Sequence, residues 1–409
     1  MKVVLLNKSD SKGGAAVVSL RLVHALVDAG VDARMLVIDK LTDDPLVGTM
    51  GSKWCNKWRF LAERVGVWCR NGFDRSTLFM TDPATHGVNI ANHPWINEAD
   101  VVCLNWVNQS TLSLKGIEQI AKSGKPIVWT MHDMWNCTGS CHHAYECQGY
   151  KTTCVSCHLL GSKGRDLSTA TQERKRQLYR ETDIHFVAVS NWLAAKCRES
   201  SLMHDSDISV IANAFPVENF MAARLPNGDY GIDDDKKVIV MGAARLDDPV
   251  KGFDQLIAAT KHVAEHKPEL AQRLHLLLFG AIKDESLLDQ IALPCTHLGV
   301  VNDVARVYSH GDIVLSTSLY ETLPGTLIEG QVSGCVPVTF GMGGQPDIVD
   351  HLKTGYIAEY KDAASVAKGI EWAMGANVSR QFLHDEVERK FAASKIAQQY
   401  IELFEKIKT

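Results

Sequence analysis

Short apolar runs alternate with helical patterns along the first half of the chain. Residues 3–6 form a continuous apolar run, and a stretch with apolar residues at helical spacing follows, with Gly30 as its predicted end. The next apolar run, at residues 33–38, completes a strand, helix, strand unit. Further runs of strand length lie at residues 101–105, 127–131, 185–189 and 208–212. This order predicts an α/β domain built on a parallel sheet.

The second half repeats the pattern after a break in composition. Pro216 and the polar stretch at residues 225–236 separate the two halves and predict a domain boundary. Apolar runs follow at residues 238–241, 274–279, 296–299, 312–317, 336–340 and 355–358, with a helical segment at residues 304–308. We therefore predict a first domain at residues 1–215, a second α/β domain at residues 216–390 and a closing helix at residues 391–409.

The composition of the 409 residues narrows the class of protein. A formal net charge of -5 and a sequence pI near 6.3 show no basic excess, so we do not expect a nucleic-acid binder. No apolar run has the length of a signal-peptide core or a membrane span, so the expected location is cytoplasmic. In that reducing compartment the 11 Cys residues are expected to be thiols or metal ligands rather than disulfides.

Two carboxylates frame a turn in the second half. Glu321 follows the apolar run at residues 312–317, and Glu329 lies inside a segment with a helical pattern. Pro324 and Gly325 between them predict a turn into a helix, whose first backbone N–H groups have no partner within the helix. Carboxylates accept hydrogen bonds from sugar hydroxyls, and helix-terminal N–H groups attract phosphates. The motif suits a nucleotide sugar; the alternative is a pair of solvated surface carboxylates.

Two cations follow the first strand of the second half. Arg245 comes shortly after the run at residues 238–241, and Lys251 and Gly252 come after an Asp-Asp-Pro turn. Cations at the mouth of a strand, loop and helix unit can hold a diphosphate and stabilise the charge that develops as it leaves. The alternative is that both are ordinary surface cations.

Together these residues resemble the donor-site signature of the retaining glycosyltransferase family with the GT-B fold, also described as glycosyl transferases group 1 or family 4 type. The resemblance rests on the carboxylates spaced as Glu-x7-Glu, on the upstream cations, and on Gly343, Gly344 and Pro346 downstream. It implies an α/β GT-B protein, with two Rossmann-like, doubly wound domains that face each other across a cleft. It also implies that the last helix crosses back to the first domain.

The resemblance implies a role for each matched residue. Arg245 and Lys251 would bind the diphosphate as electrostatic catalysts in place of a divalent metal, so no cofactor is required for catalysis. Glu329 would bind the ribose hydroxyls, and Glu321 would bind the sugar. Asp347 departs from the family pattern, in which Glu is commoner, so no sugar contact is assigned to it. The remaining donor-binding residues would be Gly252, Thr322, Leu323, Pro324, Gly325 and Thr326.

The reaction that this resemblance implies is sugar transfer from a nucleotide-sugar donor to a saccharide or lipid-linked saccharide, with retention of configuration, in surface polysaccharide biosynthesis. Either a same-face mechanism, in which the departing phosphate accepts the acceptor's proton, or a covalent intermediate fits the family. Three alternatives stay open. They are a nucleotide-sugar epimerase of the same fold, a glycogen- or sucrose-type transferase with the same donor site, and a non-catalytic zinc-stabilised interaction protein.

Two features of the first half match the same family. Gly13 and Gly14 end the loop after the first strand and resemble the acceptor-side loop; the alternative is a plain turn. His132 follows the run at residues 127–131, at the carboxyl end of a predicted parallel strand. A neutral imidazole there can hydrogen-bond a sugar hydroxyl or the leaving phosphate, and in the family such a His faces the donor sugar. The alternative is a structural His.

A cysteine-rich loop occupies residues 137–158. Cys154 and Cys157 form a C-x-x-C pair that can present two thiolates to one tetrahedral metal, and Cys141 and Cys147 can supply the other two. The loop therefore predicts a structural zinc site, with disulfides or free apolar thiols as alternatives. From His132 through the cysteines, the sequence also resembles a subset of bacterial polysaccharide transferases.

Residues 53–75 interleave Lys and Arg with aromatic side chains, among them Trp54 and Trp58. A basic helix that carries tryptophans can lie on an anionic membrane surface, so one interpretation is peripheral contact with the inner face of the membrane. The alternative is a helix that packs its aromatic side chains on the domain and exposes its charges to solvent.

Overall fold

The computed structural model describes residues 1–408, which divide into two compact units. The first unit contains Met1–Phe215 together with the C-terminal helix, and the second contains Pro216–Ala392. Each unit has its own sheet, and every pairing between the named strands is parallel.

The first unit alternates strands and helices from its first residues. Its strands are β1 (Lys2–Ser9), β2 (Asp32–Asp39), β3 (Val47–Thr49), β4 (Val101–Leu104), β5 (Ile127–Met131), β6 (Ile184–Ala188) and β7 (Ile208–Val210). Its helices, apart from the C-terminal one, are α1 (Gly14–Asp28), α2 (Lys53–Trp68), α3 (Pro94–Glu98), α4 (Leu114–Ala121), α5 (Leu167–Glu181) and α6 (Asn191–Glu199). All six apolar runs of this half lie on strands, as predicted.

The first sheet has seven strands in the order β3-β2-β1-β4-β5-β6-β7. Its central strands are continuous apolar runs because helices cover both faces of a doubly wound sheet. The chain moves outward from β1 to β3 and then returns to β4 on the other side of β1, so the order of strand addition reverses between β1 and β4.

The second unit has six strands and seven helices. The strands are β8 (Lys237–Arg245), β9 (Leu274–Ala281), β10 (Cys295–His297), β11 (Ile313–Ser316), β12 (Val336–Phe340) and β13 (Tyr356–Ala358). The helices are α7 (Phe253–His266), α8 (Pro268–Ala271), α9 (Val304–Ser309), α10 (Gly325–Val332), α11 (Gln345–Ile348), α12 (Ala363–Gly375) and α13 (Arg380–Phe391). The sheet order is β10-β9-β8-β11-β12-β13.

The C-terminal helix, α14 (Ala393–Lys408), belongs to the first unit. Its buried face carries Tyr400 and Phe404, which lie in the same apolar core as the side chains of β1 and α1. The Tyr400 hydroxyl is also 2.9 Å from Thr130 Oγ1 on β5. The first unit is therefore built from two separate parts of the chain.

Within residues 1–408, none of the helices is both long enough and apolar enough to cross a membrane.

Candidate active site

The order in which strands are added to the second sheet reverses between β8 and β11, which makes this position the switch point of the sheet. Most of the predicted donor-site residues follow these two strands. The chain runs from β8 outward to β9 and β10 and then returns to β11 on the other side of β8. At such a point the loops after neighbouring strands diverge, and α/β proteins bind ligands in the crevice that results. Arg245 is the last residue of β8, and Glu321 follows β11.

Gly252 seats the turn after β8 against the end of β11. A 3-10 turn (Pro249–Lys251) precedes it, and Gly252 is the N-cap of α7, with φ of 65°. A Cβ at this position would lie 2.0 Å from the carbonyl oxygen of Thr317, so another residue would displace the backbone. The Thr317 hydroxyl donates to the carbonyl oxygen of Gly252 at 2.9 Å. The turn that carries the predicted lysine is thus fixed to the strand that leads to Glu321.

Lys251 and Glu321 form an ion pair. The Nζ atom of Lys251 contacts Oε1 of Glu321, although the residues are 70 positions apart in the sequence. Both side chains are partly buried, with 29% and 20% of their surface exposed. An ammonium group has three hydrogen-bond donors, and a carboxylate has several acceptor positions, so each partner keeps capacity for a ligand. The pair offers a cation for phosphate beside an acceptor for hydroxyls.

Arg245 has acidic partners that the sequence-based prediction did not include. Its Nε atom lies 3.2 Å from Oδ1 of Asp247, and a terminal nitrogen lies 3.7 Å from Oδ2 of Asp248. These carboxylates lie close to the guanidinium group without a hydrogen bond from its Nε atom, and a bound diphosphate would have to share the positive charge with them. The Asp-Asp-Pro turn was the feature of the sequence that could have indicated this pairing.

The loop between Glu321 and α10 leads into a helix start whose backbone N–H groups have no side-chain cap. Leu323 and Pro324 are buried, and no side chain caps the start of α10 at Gly325. An uncapped first turn offers its N–H groups to a ligand. A Cβ added to Gly325 would lie 4.0 Å from Oε1 of Glu329, so the Glu329 carboxylate lies beside this helix start.

The loop after β12 holds the backbone of Glu321. Gly343 has φ of 85°, and a Cβ there would lie 2.0 Å from the carbonyl oxygen of Glu321. The backbone N–H of Gly344 donates to the same oxygen at 2.9 Å. This close approach requires glycine, and it fixes the residue that also pairs with Lys251.

In the second unit, ten predicted residues therefore lie at or beyond the carboxyl ends of the sheet strands. They are Arg245, Lys251, Gly252, Glu321, Thr322, Leu323, Pro324, Gly325, Thr326 and Glu329. The other residues predicted to act on donor or acceptor, His132, Gly13 and Gly14, lie in the first unit. Their roles toward a donor or acceptor stay predictions.

In the first unit, Gly13 and His132 both follow strands of the sheet. Gly13 precedes α1 with φ of 94°, and a Cβ on Gly13 or Gly14 would meet nothing within 4 Å, so this loop is open to a ligand. His132 follows β5, and its Nε2 atom is 3.2 Å from Oδ1 of Asn105. Burial lowers the pKa of His132 to about 4, so the imidazole is neutral at pH 7.

Asp133 anchors the segment after His132, a role that the sequence did not reveal. Its Oδ2 atom accepts a hydrogen bond from Nε1 of Trp106 at 2.8 Å and pairs with Nδ1 of His142 at 2.8 Å. The backbone N–H of Trp135 donates to Oδ1 at 2.8 Å. Burial by itself would raise the pKa of Asp133, but His142 and these hydrogen bonds lower it well below the ordinary value.

The four cysteines predicted to bind zinc are free thiols in the structure. Cys141, Cys154 and Cys157 are half-buried, Cys147 is exposed, and none forms a disulfide. Burial raises the pKa of Cys141 to about 12 and that of Cys154 to about 11. Thiolates are ligands that zinc prefers. However, within residues 1–408 no group of three or more His, Cys, Asp or Glu side chains has a metal-binding arrangement, so the zinc site stays a prediction.

Comparison with known families matches the part of the chain that carries this site. Residues 235–375 match the family model described as Glycosyl transferases group 1. Among curated proteins, N-acetyl-alpha-D-glucosaminyl L-malate synthase of Bacillus anthracis is 25% identical over 184 residues, which are 42% of this chain and 46% of that protein. The chain spans about half the length of the curated relatives it matches.

Solved structures resemble nearly the whole chain. Anabaena HepE, in complex with UDP and glucose, has a TM-score of 0.65 at 16% identity, with 99% of each chain covered. WaaG, a glycosyltransferase involved in lipopolysaccharide biosynthesis, has a TM-score of 0.62 at 13% identity, again with 99% of each chain covered. Together with the two parallel sheets, this likeness confirms the predicted GT-B fold.

Proposed function

We propose that the chain is a glycosyltransferase that moves a sugar from a nucleotide-sugar donor to a saccharide acceptor. The observation that carries this proposal is the Lys251–Glu321 pair at the switch point of the second sheet. A cation beside a carboxylate suits a diphosphate joined to a hydroxyl-rich sugar. The family match over residues 235–375 supports the same class.

The proposal gives a role to the residues that follow β8 and β11. Arg245 and Lys251 bind the diphosphate, and their charges stabilise the negative charge that grows as it leaves. Glu329 accepts hydrogen bonds from the ribose hydroxyls. Glu321 and the backbone N–H groups of residues 322–326 bind the sugar.

The proposed reaction retains the configuration of the anomeric carbon. The bond from this carbon to the phosphate oxygen breaks, and a bond to the acceptor oxygen forms on the same face. The departing phosphate takes the proton of the acceptor hydroxyl, so no separate base is needed. Arg245 and Lys251 favour this step because they stabilise the phosphate while its negative charge is greatest.

The relatives favour particular donor and acceptor classes. HepE was solved with UDP and glucose, and WaaG takes part in lipopolysaccharide biosynthesis. We therefore propose a UDP-sugar as the first donor to test, and a saccharide or lipid-linked saccharide of a surface polysaccharide as the acceptor.

A donor panel tests this proposal. UDP-, GDP-, ADP- and TDP-sugars are added to the native chain and to the K251A variant, and thermal stabilisation, hydrolysis and transfer to oligosaccharides are measured. We expect one donor to stabilise the native chain and to be consumed. K251A should reduce turnover about 100-fold, because it removes a charge that stabilises the leaving group. NMR of the product should show the anomeric configuration of the donor.

A matched variant controls for the loss of a lysine. Lys261 is exposed on α7, more than two turns after the start of the helix beside Lys251, so K261A should behave like the native chain. If no donor binds, or if K251A retains full turnover, the assignment of the site is wrong. Release of an epimerised nucleotide sugar without acceptor would instead identify an epimerase.

A further inference from the structure

Helix α2 buries polar side chains on the face that packs against the first unit. Asn56, Glu63 and Arg64 are buried there, with Val67 beside them. The amide nitrogen of Asn56 donates to the carbonyl oxygen of Met50 at 2.9 Å. Glu63 accepts hydrogen bonds from the backbone N–H of Thr85 and from the hydroxyl of Ser110, while Arg64 donates to the carbonyl oxygen of Leu78. These bonds fix the rotation of the helix about its axis.

The opposite face of α2 is apolar and lies in solvent. Trp54 is 67% exposed and Trp58 is 53% exposed, with their rings in edge contact at 5.7 Å. Leu61 and Val65 are 46% and 45% exposed. These four residues recur at helical spacing and form one stripe, which we call the α2 stripe. A surface helix of a globular protein normally has the reverse arrangement, with its apolar side buried.

The charged side chains around the α2 stripe are basic. Lys53 and Lys57 are exposed on the helix, and Arg70 and Arg75 are exposed just after it. The helix has a single acidic residue, Glu63, and that residue is buried. Beyond the helix, Asp74 is exposed, and its carboxylate accepts hydrogen bonds from Ser76. The exposed surface of α2 itself therefore carries apolar side chains, and its charged side chains are all positive.

We propose that the α2 stripe lies on an anionic lipid bilayer and anchors the protein at the membrane surface. A bilayer interface accommodates tryptophan rings between its acyl and headgroup layers, and its anionic headgroups attract Lys and Arg. The positive surface of α2 complements that negative layer. Because the polar face of the helix stays hydrogen-bonded within the first unit, binding requires no rearrangement of α2. This proposal does not depend on glycosyl transfer, because lipid binding is measured without a donor.

Vesicle flotation tests the proposal. The native chain is mixed with vesicles of phosphatidylcholine, or of phosphatidylcholine and phosphatidylglycerol in equal parts. We expect binding to the anionic vesicles alone, with weaker binding as salt is raised. Two variants should each reduce the bound fraction about tenfold: W54A/W58A, which removes the interfacial rings, and K53E/K57E, which reverses two charges. A blue shift of tryptophan emission on binding should disappear in W54A/W58A.

Matched variants separate this surface from general effects of charge and apolar area. K261E/K368E makes the same change of net charge on exposed helix positions elsewhere, and M221A/V300A removes other exposed apolar side chains. Both should bind vesicles like the native chain. The proposal is overturned if the native chain ignores anionic vesicles or if W54A/W58A binds normally. It also fails if the native chain is a dimer that W54A/W58A makes monomeric, because the stripe would then cover a second copy.

Discussion

Lys251 and Glu321 were each predicted as site residues from their own motifs, one after β8 and the other after β11. Their contact depends on Gly252 and Gly343, which let the two loops approach each other closely. Arg245 shows the limit of such predictions, because its pairing with Asp247 depends on the path of the loop. At this scale the sequence identifies the chemical groups, and the backbone determines their partners.

The pKa of His132 gives a prediction for stability at this scale. Burial lowers that pKa to about 4, below the ordinary value of about 6.5. Between these values the unfolded chain binds a proton that the folded chain excludes, so stability falls as pH falls from about 6.5 to about 4. We expect the native first unit to lose about 2 kcal/mol from this group between about pH 7.5 and pH 5, and the H132Q variant to lack that contribution.

Denaturant unfolding of the native chain and H132Q at the two pH values measures this difference. H204Q is the control, because His204 is an exposed imidazole. Its change of stability with pH should match that of the native chain. An equal loss in the native chain and H132Q would show that His132 is not the group responsible.

At the scale of single elements, α2 and the cysteine-rich loop both left alternatives open in the sequence. For α2, the sequence left open whether the aromatic side chains are exposed toward a membrane or packed on the domain. The structure shows that the polar side chains are the buried ones, because Glu63 and Arg64 find hydrogen-bond partners in neighbouring loops. The cysteine-rich loop is also held by polar contacts, among them the pair between His142 and Asp133.

Metal analysis tests the zinc prediction for the cysteine-rich loop. The sequence predicts about one zinc per purified chain, and the four thiols would have to move into a tetrahedral arrangement that residues 1–408 do not show in the structure. C154S/C157S should lose the metal and lower the melting temperature of the first unit, since bound zinc contributes to folding. C55S/C69S changes two exposed cysteines outside the loop and should keep the metal. Native protein without zinc, with all its thiols reactive after denaturation, would exclude the site.

At the scale of the whole molecule, the first unit depends on both ends of the chain. The core formed by β1 and α1 also contains Tyr400 and Phe404 from α14. The second unit is therefore inserted between two parts of the first. Folding of the first unit requires a segment that follows the second unit in the sequence.

Replacement of Phe404 by alanine tests this dependence. Phe404 is fully buried, so F404A should cost about 3–5 kcal/mol of unfolding free energy in the first unit. Hydrogen exchange followed by peptide mapping should show lost protection in Met1–Phe215 and unchanged protection in Pro216–Ala392. E405A, at an exposed neighbouring position, should leave both unchanged. Equal loss of protection in both units would contradict the assignment of α14 to the first.

The sequence by itself determined the α/β class, the chemical groups of the predicted donor site, and twelve of the thirteen strands within residues 1–408, with only β3 missed. Buried parallel strands favour continuous apolar runs, and glycine and proline are frequent in turns, so both features leave local patterns in the sequence. Only the tertiary structure decided that Lys251 pairs with Glu321, that α2 exposes its tryptophans, and that α14 completes the first core. These outcomes depend on contacts between distant segments, which hydrophobic periodicity does not encode because it describes only neighbours along the chain.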